Sequence, residues 1–297
     1  MVTVAVAGGG SAIASNIINA ILASKKHQLV VLSRSPRPDL ETQGAVVRVV
    51  DYDSHEQLTK ALEGVHTVLS CIWSYGPAIA ASQLALLEAA KEAQVKRFAP
   101  SEWAVPAYDK VGYYKVKESV WEAVKKSGLE YTRFINGLWL NIWAADAPRE
   151  EDIGRSGYRG PPLIIDIKAG NASIPGDGSS KVAFTDMRDI GKYVTAALDF
   201  EKWDEDSFIV GEKLSVNEFV DKVERVTGKV LDKTYISLED LAVLIEEKKD
   251  PLMTMVHEFL RLIGEGDMNL TATINQKVPE VKPIKVDEFL ARHWGTA

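Results

Sequence analysis

Tyr113 and Lys117 are spaced for proton transfer. They stand four apart in a stretch with helical periodicity, and residues at i and i+4 share a helix face. Free tyrosine ionises near pH ~10, and an ammonium beside it favours the phenolate, which makes the hydroxyl a usable acid. The plainer alternatives are an aromatic ring packed near a helix start and a solvated lysine. A second group of residues suits phosphate. Gly8-Gly9-Gly10-Ser11-Ala12-Ile13-Ala14 lies between a β-rich run and a helical one. Glycine lets the backbone turn sharply and approach a pyrophosphate, and the helix opened by Ala12 and Ile13 offers free N–H groups and a positive dipole end. In the G-x-G-x-x-G frame Gly8 and Gly10 fit and Ile13 replaces the last glycine. In the G-x-x-G-x-x-G frame Gly8 fits, with Ser11 and Ala14 at the other two positions. Ala is a normal substitute at the last of these. Ser11 puts a side chain near the phosphates, with a hydroxyl able to donate to them.

The second β-rich run ends Val31-Leu32-Ser33-Arg34-Ser35. An Asp or Glu there would accept from a ribose 2′-hydroxyl, whereas an Arg accommodates a 2′-phosphate. Arg34, with Ser33 and Arg37, therefore points to NADPH; the acid Asp39 comes later, beyond two prolines. Asp51 ends the third run, where an adenine edge would lie; its alternative role is to cap the helix beginning near His55. Cys71 and Trp73 end the fourth run and would lie against the cofactor, with Trp73 as a pocket wall and Cys71 as a small buried hydrophobe. Ser101 and Glu102 follow the fifth run. Ser101 is placed to bond a substrate carbonyl or a ribose, or else to cap a turn. Asn136 ends the sixth run, where nicotinamide or substrate would sit. Trp139 and Trp143, four apart, read as one apolar helix face. No metal cluster is expected: the five histidines (His27, His55, His66, His257, His293) lack ligand spacing.

These side chains need a scaffold. Short apolar runs at 2–7, 28–33, 45–50, 67–72, 97–99 and 130–135 alternate with helical patterns at 12–23, 55–62, 78–93 and 116–126. Such units predict an α/β fold, a doubly wound parallel sheet covered by helices on both faces. Ligands of such sheets bind at the carboxyl ends of the strands, where the glycine loop, Ser33, Arg34, Asp51, Cys71, Trp73, Ser101 and Asn136 fall. After 141 the pattern changes. A loop at 147–162 precedes apolar runs at 163–167, 182–184 and 208–210. Helices are expected at 189–198, 216–226, 238–247, 251–263 and 286–293, with capping-box pairs Ser215/Glu218 and Ser237/Asp240. The chain is thus divided into a cofactor domain, 1–154, and a smaller, helix-rich substrate domain, 155–297, of which about 180–212 pack back on the sheet.

The chain has 297 residues, 46% hydrophobic and 26% charged, with a net charge of −7. That is ordinary for a globular protein and leaves no basic excess for nucleic acid. The lone Cys71 cannot form an intrachain disulfide, the N-terminus lacks a basic leader, and no apolar stretch reaches spanning length. The expectation is a cytoplasmic protein with a small-molecule partner, no nucleic acid and no membrane, with a homodimer left open.

Several stretches resemble the NmrA-like, isoflavone-reductase-like family, an atypical branch of the short-chain dehydrogenases. They are Gln94-Val95-Lys96-Arg97-Phe98-Ala99-Pro100-Ser101-Glu102-Trp103, Ser127-Gly128-Leu129-Glu130-Tyr131-Thr132, Ile174-Pro175-Gly176-Asp177-Gly178, the run from Lys181 to Gly191, and Pro279-Glu280-Val281-Lys282 with Val286-Asp287-Glu288-Phe289-Leu290. The resemblance spans nearly the whole chain. It implies a Rossmann-type NADPH domain with a substrate domain, and a reductase acting by hydride transfer on a small aromatic or secondary-metabolite substrate. The alternative it carries is a non-catalytic NADP(H)-sensing regulator acting through a protein partner. Counting back from Gly128, the resemblance puts the catalytic lysine at Lys117, which it also implies as a cofactor contact, holding the nicotinamide ribose. That branch usually lacks the tyrosine, so the choice between Tyr113 and Lys117 as proton donor stays open.

Overall fold

The computed structural model describes residues 1–73, 78–148 and 161–295. The 154/155 boundary and part of the 147–162 loop lie outside the described residues. The chain divides into two compact units: Met1–Tyr108 with Tyr113–Ile135 and Ile190–Ser207, and Asp109–Gly112 with Asn136–Asp189 and Phe208–Ala297.

The first unit runs β1 (Thr3–Ala7), α1 (Ala12–Ser24), β2 (Gln28–Ser33), α2 (Pro38–Glu41), β3 (Val46–Val49), α3 (His55–Ala61), β4 (Thr67–Ser70), α4 (Ala78–Glu92), β5 (Arg97–Ala99), α5 (Lys115–Lys125), β6 (Glu130–Tyr131) and β7 (Arg133–Ile135). Six strands form one sheet in the order β3-β2-β1-β4-β5-β6, and every pairing is parallel. This is the doubly wound order in which the connection reverses direction beside β1, the place where such sheets bind nucleotides. Val4, Ala5, Val6 and Ala7 are wholly buried, as a central strand covered on both faces requires. Leu58, Leu86, Leu87, Phe98, Val120 and Val124 build the core on one side.

The expected strand at 130–135 breaks in two. Thr132 donates from Oγ1 to Ser207 Oγ at 2.7 Å, and the Arg133 amide donates to the Glu205 carbonyl. The chain thereby leaves the main sheet, and β7 pairs instead with a late strand, Asp206–Phe208. A run of six apolar-leaning residues cannot show that its hydrogen bonds change partners midway.

The remaining elements are β8 (Leu138–Trp139), β9 (Ile165–Asp166), β10 (Asn171–Pro175), β11 (Lys181–Thr185), α6 (Met187–Ala197), β12 (Asp206–Phe208), β13 (Glu212–Ser215), α7 (Val216–Thr227), β14 (Asp232–Ile236), α8 (Leu238–Glu247), α9 (Pro251–Gly264), α10 (Ile274–Lys277) and α11 (Val286–Trp294). The second unit holds two three-stranded sheets, β14-β10-β9 and β13-β11-β8. Strands β10, β13 and β14 were not anticipated, because NASIP, EKLS and DKTYI offer little apolar signal. The Ser215/Glu218 capping box forms in full. Trp139 and Trp143 do not share a helix face: Trp139 lies on β8, and Trp143 follows in the 3₁₀ turn Leu140–Ala144.

Candidate active site

The glycine loop is shaped by what crowds it. Gly8 has φ +78°, and a Cβ there would lie 2.6 Å from the Cys71 carbonyl oxygen. A Cβ on Gly9 would lie 2.5 Å from Val31 Cγ1, whereas one on Gly10 would meet nothing within 4 Å. Gly8 and Gly9 therefore press against the sheet, and Gly10 leaves open space on the other side. The Gly8 amide donates to Tyr52 Oη at 2.9 Å, and Tyr52 donates on to the Leu32 carbonyl. Burial pushes the Tyr52 hydroxyl up to about 12, so it remains protonated. Ser11 is the N-cap of α1, accepting from the Ala14 amide and donating its own hydrogen to the Cys71 carbonyl at 3.2 Å. Its hydroxyl is thus committed to the turn itself. Ile13 is buried at the side chain, so its contribution and that of Ala12 come from first-turn amides, which have no intrahelical acceptor.

Two arginines stand at the end of β2. Arg34 is exposed. Arg37 donates to the Gly9 carbonyl at 3.2 Å and grips both carboxylate oxygens of Asp39 at 3.0 and 2.8 Å. Asp39, the late acid, is therefore spent on Arg37. Ser33 is buried and accepts from the Ser35 amide. Asp51 accepts from the Asp53 amide and shapes the turn before α3, whose N-cap is Ser54. Cys71 is buried, which raises its thiol pKa and leaves it protonated. Trp73 is 58% exposed, not a closed wall. The amide cradle, the open side of Gly10 and the guanidinium of Arg34 fit a nucleotide carrying a 2′-phosphate.

The other end of the unit is built from side chains. Lys117 is only 5% exposed. Its ammonium donates to the Glu102 carbonyl at 3.2 Å and stands 4.0 Å from Glu102 Oε2. Burial lowers its pKa, opposed by the Glu102 charge. Tyr113 lies in a 3₁₀ turn, Gly112–Tyr114, ahead of α5. Tyr113 therefore lies outside the α-helix that carries Lys117, which begins at Lys115. It is the Tyr114 ring, three residues before the lysine, that carries the ammonium 4.5 Å from its centroid. Glu102 Oε1 accepts from Tyr108 Oη at 2.9 Å. Tyr108 in turn accepts from Arg133, which is paired through two nitrogens with Asp206. Ser101 is buried and donates from its amide to Gln83 Oε1 at 2.7 Å; the same oxygen accepts from Ser70 at the end of β4. Asn136, grouped with the second unit, is buried there. Its Oδ1 accepts from Trp139 and its carbonyl accepts from Thr185.

The model of the NmrA-like family matches residues 2–290. The chain belongs to this family. Oxidoreductase BOA1 of Botryotinia fuckeliana is 32% identical over 77% of this chain and 77% of its own. A solved chain from the crystal structures of pinoresinol-lariciresinol and phenylcoumaran benzylic ether reductases has a TM-score of 0.81 at 25% identity, covering 98% of this chain and 99% of that one. A structure described as AtPrR2 with NADP+ and (+)pinoresinol has a TM-score of 0.78 at 24% identity, covering 97% of each.

In this NmrA-like chain the first unit brings together Gly8, Gly10, Ser11, Ala12, Ile13, Ser33, Arg34 and Cys71 around one loop, and Ser101, Tyr113 and Lys117 beyond β5. The sequence reading missed Gly9, Tyr52, Tyr108, Tyr114 and Arg133. Gly9 belongs to the glycine run but falls between both fingerprint frames. No local signal marks the others, because each acts on a residue distant in sequence or across a turn.

Proposed function

We propose that the chain is an NADPH-dependent reductase that passes hydride to a small aromatic or secondary-metabolite substrate, with Lys117 moving the proton. The observation that carries this is the buried Lys117 ammonium. A buried ammonium costs several kcal/mol unless partners offset it, and a protein that only sensed a nucleotide has no use for it. When bound, NADPH supplies the hydride that the substrate carbon accepts. The chain's own residues do the rest. Gly8 and Gly9, their amides committed to Tyr52 and Leu32, would shape the turn, the amides of Gly10, Ala12 and Ile13 would hold the pyrophosphate, and Arg34 would face the 2′-phosphate. Ser101, Asn136 and Trp73 belong to the proposed cofactor contacts, with Asp51 at the adenine end. Lys117 Nζ gives a proton, directly or through a held water, to the substrate atom that gains negative charge. The division of labour is part of the proposal: cofactor on the first half of the chain, substrate choice on the second. So is a cytoplasmic setting, which the lone buried Cys71 suits. Among the described residues no helix is long and apolar enough to cross a membrane.

The test is a fluorescence titration with NADPH and NADH, followed by NADPH consumption across a panel of aromatic and secondary metabolites. Preferential NADPH binding with turnover is expected. NADPH binding without turnover, joined to a protein partner that binds only with cofactor present, would replace this reading with the regulator.

A further inference from the structure

Glu102 is the most deeply placed carboxylate beside Lys117. It is 3% exposed, and its two oxygens differ. Oε1 is engaged by Tyr108. Oε2 is buried without a hydrogen-bond partner and is the oxygen that faces Lys117 Nζ across 4.0 Å. An unsatisfied buried carboxylate oxygen is costly, and burial accordingly raises the Glu102 pKa while Lys117, Tyr108 and Arg133 oppose that rise. The carboxyl cannot swing away. Tyr108 holds Oε1, Arg133 holds Tyr108, and Asp206 holds Arg133 with both oxygens. The Arg133 guanidinium also lies 4.0 Å over the Trp121 ring. Three segments thus converge to hold one carboxyl against one amine: the turn after β5, strand β7 and strand β12. A carboxylate kept only to satisfy Tyr108 needs no second oxygen aimed at an ammonium.

We propose that Glu102 is a positioning residue for Lys117: its carboxylate keeps the amine in the charged form that can donate a proton. The proposal rests on the reading of Lys117 as the proton-transfer group. The charged and titratable groups around the pair are Tyr108, Tyr113, Tyr114, Arg133 and Asp206. Burial keeps the Tyr108 and Tyr114 hydroxyls protonated, and the Asp206 carboxylate is paired with Arg133. Glu102 is the negative charge acting on Lys117. Removing it leaves burial unopposed, and the amine then stays neutral to lower pH.

The experiment pairs two measurements on wild type, Glu102→Gln and Glu102→Asp. One is the pH profile of kcat/KM with NADPH. The other needs no substrate: an NMR titration of the Lys117 Cε resonance in protein labelled at lysine, assigned by its loss in Lys117→Met. In Glu102→Gln both the basic limb of the profile and the Lys117 midpoint should move to lower pH by about one unit or more. Glu102→Asp should move them less, and in the same direction. A folded Glu102→Gln protein whose Lys117 midpoint is unmoved overturns the proposal, as does a fall in kcat with an unmoved limb. If Glu102→Gln does not fold, an unmoved midpoint in Glu102→Asp overturns it equally. A shifted midpoint in a protein that turns over no substrate supports the coupling and removes the reductase reading instead.

Discussion

The glycine loop and the Lys117 pocket belong to the same unit and are made of different materials. At the loop the working parts are backbone amides, and the side chains are conspicuous by how few the geometry admits: Gly8 is pressed against Cys71 and Gly9 against Val31. At Lys117 the working parts are side chains, and the backbone only aims them. The loop is half open, so a ligand can complete its hydrogen bonds. The pocket is closed around a charge, so the protein must complete them itself, through Glu102, Tyr108, Arg133 and Asp206. An anion-binding end can be built from one short segment. A proton-transfer end needs burial and a counter-charge together, and those come from separate strands.

The largest expected effect tests the closed end. Lys117→Ala should lower kcat by about 100-fold or more, the usual loss for a positioned proton-transfer group, while the NADPH dissociation constant changes little. Tyr113→Phe then separates the two donors. Because Tyr113 precedes α5 and the Tyr114 ring is the one beside the ammonium, near-normal turnover is expected for Tyr113→Phe. Should Lys117→Ala retain turnover of a true substrate, the contrast between the two ends would lose its functional meaning.

Next in size is Gly8→Ala. The new Cβ would adopt a left-handed backbone and strike a carbonyl that cannot move without disturbing β4. The two costs together come to about 2–5 kcal/mol, read as a fall in Tm with loss of NADPH binding. An unchanged Tm would mean that the loop is held less tightly than its contacts imply. Smaller again is Arg34→Ala, which should cost about 1.5–3 kcal/mol of NADPH binding, the worth of a hydrogen bond to a charged group, with NADH affinity unaltered. Titrating both cofactors checks it. Equal loss for the two would mean that Arg34 does not read the 2′-phosphate.

The same contrast explains what could be read from the chain alone. The tight turn at Gly8 and the alternation of strands and helices were legible because each is a local pattern, fixed by a few consecutive residues. Tyr52 was not, since it serves an amide 44 positions away and its own neighbourhood is an unremarkable turn. Arg133 looked like the polar residue of a strand, and only the departure of the chain at Thr132 gives it Asp206 and Tyr108. Tyr113 shows what spacing alone leaves out. Four-residue spacing implies a shared face only inside an α-helix, and here a 3₁₀ turn of three residues per revolution precedes Lys115, so Tyr114 takes the place beside the lysine. In the second unit, helices announced themselves through caps at Ser215 and Ser237, while strands β13 and β14 carried no alternation to find and β10 only a short one, through Ala172 and Ile174.

The smallest effect is the most discriminating, because it applies one chemical change to the other glycine of the fingerprint. Gly10→Ala adds the same methyl as Gly8→Ala, two residues along. Gly10 does not have a left-handed φ, and its Cβ would point into open space. In the free protein the change should therefore be nearly silent, within about 0.5 kcal/mol. Bound nucleotide alters that outcome. If the open side of Gly10 is where the pyrophosphate approaches, the methyl occupies part of its path, and the NADPH dissociation constant should rise while Tm without cofactor holds steady. A variant stable and binding as wild type would move the phosphate site away from Gly10. A variant that loses stability without cofactor would mean that the loop is packed on both sides, and the division between a half-open end and a closed one would fail at its first residue.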